Sequence, residues 1–133
     1  MKTISQVKDD QQKRLSAIFD KFGIIFAFSN QQFSKNKKEG VTYVNGLVGG
    51  MLIPEKNVAD FLAAFNQHSD DCAKEMRELF NMYVYIHYEL ANHEAWYTES
   101  ISEAYPIVKD IYPSCTKEDM WRVWHKVNNE RKE

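Results

Sequence analysis

Apolar residues recur at three- and four-residue steps through the first part of the chain, with Lys, Gln and Asp between them. The pattern runs from Ile4 to Phe22 and predicts an amphipathic helix, which Gly23 is suited to stop. The segment "IIFAF" (24–28) is short, apolar and rich in β-branched and aromatic residues. It therefore favours a buried strand.

The polar phrase "SNQQF" follows this strand and carries a helix-start signal. Ser29 and Gln32 have capping-box spacing, in which the hydroxyl accepts a hydrogen bond from a helix amide and the glutamine accepts one from the serine amide. We expect a short helix over about 29–37.

A glycine-rich segment with Val, Thr, Tyr and Ile comes next and is typical of a β-hairpin. We expect strands near 41–44 and 47–53. Asn45-Gly46 should join them, because this dipeptide takes a left-handed turn conformation at little cost.

The following segments have helical patterns separated by start and stop signals. Pro54 fits the first turn of a helix that ends near His68. Ser69, followed by two aspartates, fits the N-cap of a longer helix over about 70–95.

Two further pairs with capping-box spacing precede the C-terminal helices. They are Ser100 with Glu103 and Thr116 with Asp119. Together, the elements predict one α+β domain over residues 1–133, with a small antiparallel sheet of about three strands packed against a mainly helical remainder.

Composition excludes a disordered chain, since 44% of the 133 residues are hydrophobic and 14% are aromatic. The N-terminal segment has no apolar leader, and no apolar run is long enough to span a bilayer. We therefore expect a cytoplasmic protein without a membrane partner. Cys72 and Cys115 lack metal or redox spacing and are expected to be free, buried thiols.

The net charge of −2 conceals a basic first part and an acidic middle. The only dense basic run is "KNKK" (35–38), which is typical of a solvated loop. A nucleic acid is not the expected partner, because binding to phosphates needs a longer stripe of Lys and Arg.

His87 is the first candidate for chemistry. Its predicted helix carries a stripe of residues at alternating four- and three-residue steps, which should leave His87 partly buried. It would then be a core-edge histidine, or else a ligand or a general base. The stripe comprises Met76, Phe80, Tyr83, His87, Leu90 and Glu94.

Glu89 and His93 are four residues apart and should be neighbours on another face of that helix. The spacing does not match the H-E-x-x-H zinc motif, so neither a metal nor a cofactor is expected. Asn92 and His93 fit a helix end, where Asn tolerates left-handed geometry. Trp96, two residues after Glu94, is expected to pack in the core, and a pocket or an interface is the alternative.

Trp121 and Trp124 are three residues apart and can share one helix face. We expect them to lie mainly in the core. An interface is the alternative if that face is exposed.

Three phrases carry a resemblance: "FAFSNQQF" (26–33), the "GG…IP" hairpin (49–54) and "ELANHEAWYT" (89–98). Over about residues 18–100 the chain resembles small uncharacterised proteins encoded by bacteriophages and mobile elements of gut Bacteroidetes. That family has an aromatic directly after the NHE triplet, whereas this chain has Ala95 there.

The resemblance implies a non-virion phage protein that works in the host cytoplasm and counters a host defence. The residues to which it points are Ser29, Gln32, Phe33, Asn92, His93 and Glu94.

Three functions follow as hypotheses. The first is an accessory protein that binds a host or phage protein, or itself, without a reaction of its own. The second is a domain for a small polar molecule or nucleotide near Ser29, Gly49-Gly50 and residues 92–94. The third is a hydrolase that uses His93 or Glu94.

Overall fold

The computed structural model describes residues 2–132, apart from the side chains of Tyr97, Arg131 and Lys132. It confirms an α+β fold with a small antiparallel sheet among helices. The elements in chain order are α1 (Ile4–Phe22), β1 (Ile25–Phe26), α2 (Asn30–Asn36), β2 (Tyr43–Asn45), β3 (Met51–Pro54), a 3-10 helix (Glu55–Asn57), α3 (Val58–Leu79), α4 (Met82–Asn92), α5 (Ala95–Thr98), α6 (Ala104–Ile111) and α7 (Lys117–Lys132).

The residues group into two compact units. We call residues 8–69 the sheet unit, and residues 2–7 with 70–132 the helical unit. Each unit has its own apolar core. That the chain forms one domain stays a prediction.

In the sheet unit, the strand order is β1-β3-β2 and both pairings are antiparallel. Alternation along β3 directs Met51 and Ile53 into the core, where they pack with the fully buried Phe61. Leu52 belongs to the opposite face of the sheet and is only half-buried.

The hairpin turn lies later than predicted. Asn45 remains in β2, paired with Leu52, so the connection runs over residues 46–50 instead of turning at Asn45-Gly46. The amide of Gly46 donates to the carbonyl of Met51, and the left-handed conformation falls at Gly50, whose φ is +81°.

The predicted helix boundaries at Pro54 and Ser69 were wrong. Pro54 ends β3, and Ser69 lies inside α3, which continues to Leu79. The chain breaks instead before Asn81, whose side chain accepts a hydrogen bond from the amide of Val84. A tertiary contact supports the break. The Tyr112 hydroxyl shares its proton between two backbone carbonyls just before the break, those of Met76 (3.1 Å) and Phe80 (2.6 Å).

The helical unit has α4 against α6 and α7, with Tyr85, Leu90 and Met120 in its core. Trp124 is buried and its indole Nε1 donates to the carbonyl of Ala95 at 2.8 Å, whereas Trp121 is half-buried beside it. The expectation that these tryptophans lie mainly in the core is therefore confirmed.

Both cysteines are free: Cys115 is buried, as expected, but Cys72 is only half-buried. Burial raises the pKa of the Cys115 thiol. None of the helices described over residues 2–132 is both long enough and apolar enough to cross a membrane.

Of the two capping pairs predicted before the C-terminal helices, one forms. Thr116 and Asp119 exchange reciprocal hydrogen bonds of 3.0 and 3.1 Å at the start of α7. The bond from the Thr116 amide is the main reason that the pKa of Asp119 is lowered. The Ser100–Glu103 pair was wrong, because the Ser100 hydroxyl accepts from the amide of Ser102 and Glu103 makes no side-chain cap.

Candidate functional site

Helix α4 carries much of the candidate chemistry. Its inward face contains Tyr85, Ile86 and Leu90, and its outward face exposes Val84 and His87. The predicted stripe was wrong, because the break before α4 interrupts its periodicity. His87 is therefore exposed instead of partly buried, and its ring lies 5.9 Å from that of the half-buried Trp96.

His93 lies between two carboxylates. Its Nε2 is 3.4 Å from Oε2 of Glu89, one helical turn earlier, and its Nδ1 is 3.5 Å from Oε2 of Glu103. Glu89 and His93 are thus neighbours on one face of the helix, as predicted. The Glu89 side chain is only 1% exposed, whereas that of Glu103 is 78% exposed.

The carboxylate of Glu89 also faces Tyr85. Burial, and then the negative charge of Glu89, raise the pKa of the Tyr85 hydroxyl. The phenol therefore stays protonated at neutral pH and can donate to the carboxylate. Tyr85, Glu89 and His93 lie one helical turn apart from each other, so these polar side chains run along α4 as far as its end at His93.

The end of α4 differs from the prediction for Asn92. Asn92 is the last helical residue, and His93 caps the helix at a φ of −100°, with its amide bonded to the carbonyl of Glu89. The left-handed residue is Glu94, with a φ of 53°, and Glu99 closes α5 in the same way, with a φ of 55°. The side chain of Glu94 is exposed.

The backbone at Glu94 gives the first mutational prediction. Glu94→Gly should stabilise the chain by up to about 1 kcal/mol, since glycine adopts positive φ without steric cost. Asn92→Gly should destabilise it by a similar amount, because residue 92 is helical. Urea unfolding of both variants measures the difference, and equal effects would contradict this description of the helix end.

A groove lies between α4 and α7 and encloses about 630 Å³. We call it the α4–α7 groove, and it is lined by Asn81, Tyr83, Val84, His87, Arg122, Val123, Lys126, Val127 and Glu130. The lining residues repeat at three- and four-residue steps on both helices. The groove therefore follows α7 from residue 122 to residue 130, roughly 12 Å at the helical rise.

The α4–α7 groove has an apolar base and a charged rim. Val84 is 48% exposed and Tyr83 is 45% exposed, which leaves apolar surface open to solvent. Arg122 and Lys126 provide two positive charges on the rim, and Glu130 is the one acidic lining residue. A second carboxylate lies behind the rim, because Asp119 Oδ1 is 3.7 Å from Nη1 of Arg122. Arg122 bonds to the hydroxyl of Tyr83 at 3.3 Å, although its side chain remains 66% exposed.

The other predicted residues lie in the sheet unit. Ser29 caps α2 by accepting from the amide of Gln32 at 3.1 Å, as expected. The glutamine does not return to the serine amide, because its Oε1 accepts from the amide of Phe28 at 2.7 Å. The glutamine half of the predicted capping box is therefore displaced by one residue, from the amide of Ser29 to that of Phe28.

Phe33 is half-buried against Tyr43, with the two ring centroids 5.9 Å apart. It lines a cavity of about 360 Å³ together with Ser29, while Gln32 is exposed. The predicted site thus falls into two sets: Ser29, Gln32 and Phe33 in the sheet unit, and Asn92, His93, Glu94 and Trp96 in the helical unit.

Within the part of the chain that the structure describes, no three His, Cys, Asp or Glu side chains are grouped so that they could hold a metal ion. The α4–α7 groove was missed by sequence reasoning. A signal for it was present in α7, where Val123 and Val127 alternate with Arg122 and Lys126. Nothing in that pattern indicated that α4 would form the other wall.

The fold is that of a small α+β protein, and a groove lies between two of its helices. The chain belongs to DUF7659, a family of unknown function whose model matches residues 7–129. No curated protein and no solved structure matches the chain.

Proposed function

We propose that the chain is a phage-type accessory protein that binds a host or phage protein through the α4–α7 groove. The observation that carries the proposal is the exposed apolar base of the groove, since apolar surface rimmed by charge is typical of an interaction site. The resemblance to proteins of phages and mobile elements supports a role in the host cell, such as countering a host defence.

The occupant that fits is an amphipathic helix with acidic side chains. Its apolar stripe can pack on the exposed Tyr83 and Val84 of α4 and on the half-buried Val127 of α7. Its carboxylates can reach Arg122 and Lys126 on the rim. Such charge complementarity favours acidic segments over basic ones and speeds association.

Two designed helical peptides test this prediction. Both carry leucine on one face, with glutamate on the other face in the first peptide and lysine in the second. Titration of the first into the isotope-labelled chain should shift the amide resonances of Val84, His87 and Val127, and the lysine peptide should not. Joint substitution Arg122→Glu and Lys126→Glu should reverse this preference.

Leu79 provides the control, because it is 46% exposed but does not line the groove. Its amide resonance should stay unchanged with either peptide. Equal shifts from the two peptides, or shifts confined to residues outside the groove, would contradict the proposal.

A further inference from the structure

The cavity of the sheet unit has aromatic walls. Phe28, Phe33 and Tyr43 line it, with Leu52 from the outer face of the sheet. It is a depression that opens widely to solvent, and its volume of about 360 Å³ has room for a single planar ring system. The cavity belongs to the sheet unit, whereas the α4–α7 groove belongs to the helical unit.

Phe28 is held in an exposed position. It is 74% exposed, yet its amide donates to the side chain of Gln32 and its ring packs against the backbone of Gly50. A Cβ at Gly50 would overlap the ring, so the glycine permits this placement. An aromatic ring fixed in solvent beside a cavity provides a surface on which another ring can stack.

Polar groups lie at the same cavity. The Ser29 hydroxyl accepts the amide of Gln32, so its own proton remains available for donation, and the Asn30 carboxamide can both donate and accept. These groups suit the hydrogen-bonding edge of a heterocyclic base.

A positive charge lies near the cavity. Lys37 Nζ lies 5.8 Å from the centre of the Phe33 ring, and none of the residues that line the cavity is Asp or Glu. In the segment that follows Phe33, the three lysines Lys35, Lys37 and Lys38 stand against the single carboxylate of Glu39. A negative group attached to a stacked ring would therefore meet a cation at the side of Phe33.

We propose that this cavity binds a nucleobase that carries a phosphate. The base stacks against Phe28 and Phe33, its edge bonds to Ser29 and Asn30, and the phosphate faces Lys37. Base stacking combined with a cation is the chemistry by which proteins hold nucleotides and single strands. The source of the base is a free nucleotide or a single-stranded nucleic acid.

Calorimetric titration of the full chain tests the site with three probes: AMP, ribose 5-phosphate and a short single-stranded oligoadenylate. We expect saturable binding of AMP or the oligoadenylate and none of ribose 5-phosphate, because the sugar phosphate lacks the ring. Phe28→Ala should weaken binding by about five-fold or more, the lower end for loss of one stacked base. Lys37→Gln should also weaken it.

Two control variants distinguish binding at the cavity from the general effect of removing an exposed side chain. Leu47→Ala removes an apolar side chain that is 51% exposed and does not line the cavity, and Lys13→Gln removes an exposed lysine from α1. Both should bind as the unchanged chain does. If the oligoadenylate binds more tightly than AMP and its affinity falls steeply with salt, the ligand is a single-stranded nucleic acid. If AMP binds more tightly, the ligand is a free nucleotide.

Three results would overturn the proposal. They are no saturable binding of AMP or the oligoadenylate up to millimolar concentration, equal binding of AMP and ribose 5-phosphate, and equal effects of Phe28→Ala and Leu47→Ala. Phe28 is mostly exposed, so its alanine variant should keep its fold, and an unchanged melting temperature verifies this.

Discussion

Replacing Phe61 with alanine should lower the free energy of unfolding by about 3–5 kcal/mol. Phe61 is fully buried at the centre of the sheet-unit core. Its ring lies 6.1 Å from those of Phe19 and Phe22 and 5.9 Å from that of Phe65. Its removal therefore leaves a cavity bordered by three other rings, and such a cavity cannot collapse without moving two helices.

Urea unfolding followed by two probes measures this effect and also tests the single-domain prediction. Circular dichroism reports on all helices, whereas tryptophan fluorescence reports on the helical unit, which contains Trp96, Trp121 and Trp124. If the chain unfolds as one domain, Phe61→Ala shifts both transitions equally. A shift in circular dichroism alone would show that the units unfold separately.

Phe28→Ala is the matched control for this experiment. The same chemical change is made in the same unit, but at a side chain that is 74% exposed. Its effect should stay within about 0.5 kcal/mol, as for most surface substitutions. A loss equal to that of Phe61→Ala would contradict the assignment of the core.

Replacing Trp124 with alanine should have an effect of similar size, about 3–5 kcal/mol. The indole packs against Trp121, with ring centroids 5.6 Å apart, and its Nε1 donates to the buried carbonyl of Ala95. Trp124→Phe keeps most of the ring but removes the donor. It should therefore cost about 1–3 kcal/mol, the usual penalty for an unsatisfied buried acceptor.

Trp121→Ala is the comparison for this prediction, because Trp121 is half-buried on the same helix. It should destabilise the chain less than Trp124→Ala. Thermal and urea unfolding of Trp124→Ala, Trp124→Phe and Trp121→Ala measure the stability lost in each variant. Full stability of both alanine variants would contradict the prediction, because neither tryptophan would then be part of the core.

Much of the fold was predictable because local signals and tertiary structure agree. Helix α1 begins and ends where the apolar periodicity begins and ends, at Ile4 and Phe22. The Thr116–Asp119 cap forms as predicted, because its two partners are close in sequence and their bonds are reciprocal. The pairing of Glu89 with His93 likewise depends only on helical geometry.

The errors occurred where distant residues decide the local structure. Ser69 has a helix-start signal, but its helix continues, and the break occurs where Tyr112 bonds to the carbonyls of Met76 and Phe80. Helical periodicity could not place His87 correctly, because the side of the helix that is buried before the break does not continue into α4. Left-handed geometry fell on Glu94, not on Asn92, although glutamate rarely favours it.

The candidate site was predictable only in part for the same reason. Ser29 and Phe33 do line a cavity, together with Tyr43 and Leu52 from later strands. The α4–α7 groove depends on the packing of two helices that are far apart in sequence, which no local pattern encodes.

Site-specific photo-crosslinking in the cells that normally express the chain tests the central claim, binding of a partner protein in the α4–α7 groove. A photoreactive residue is placed at Val84 inside the groove and, in a second variant, at Leu79 outside it; the two side chains are 48% and 46% exposed. Position 84 should form an adduct with another protein, within an acidic amphipathic helix, and Arg122→Glu should reduce its yield. No adduct, adducts only with copies of this chain, or the same adducts from position 79 would contradict the claim.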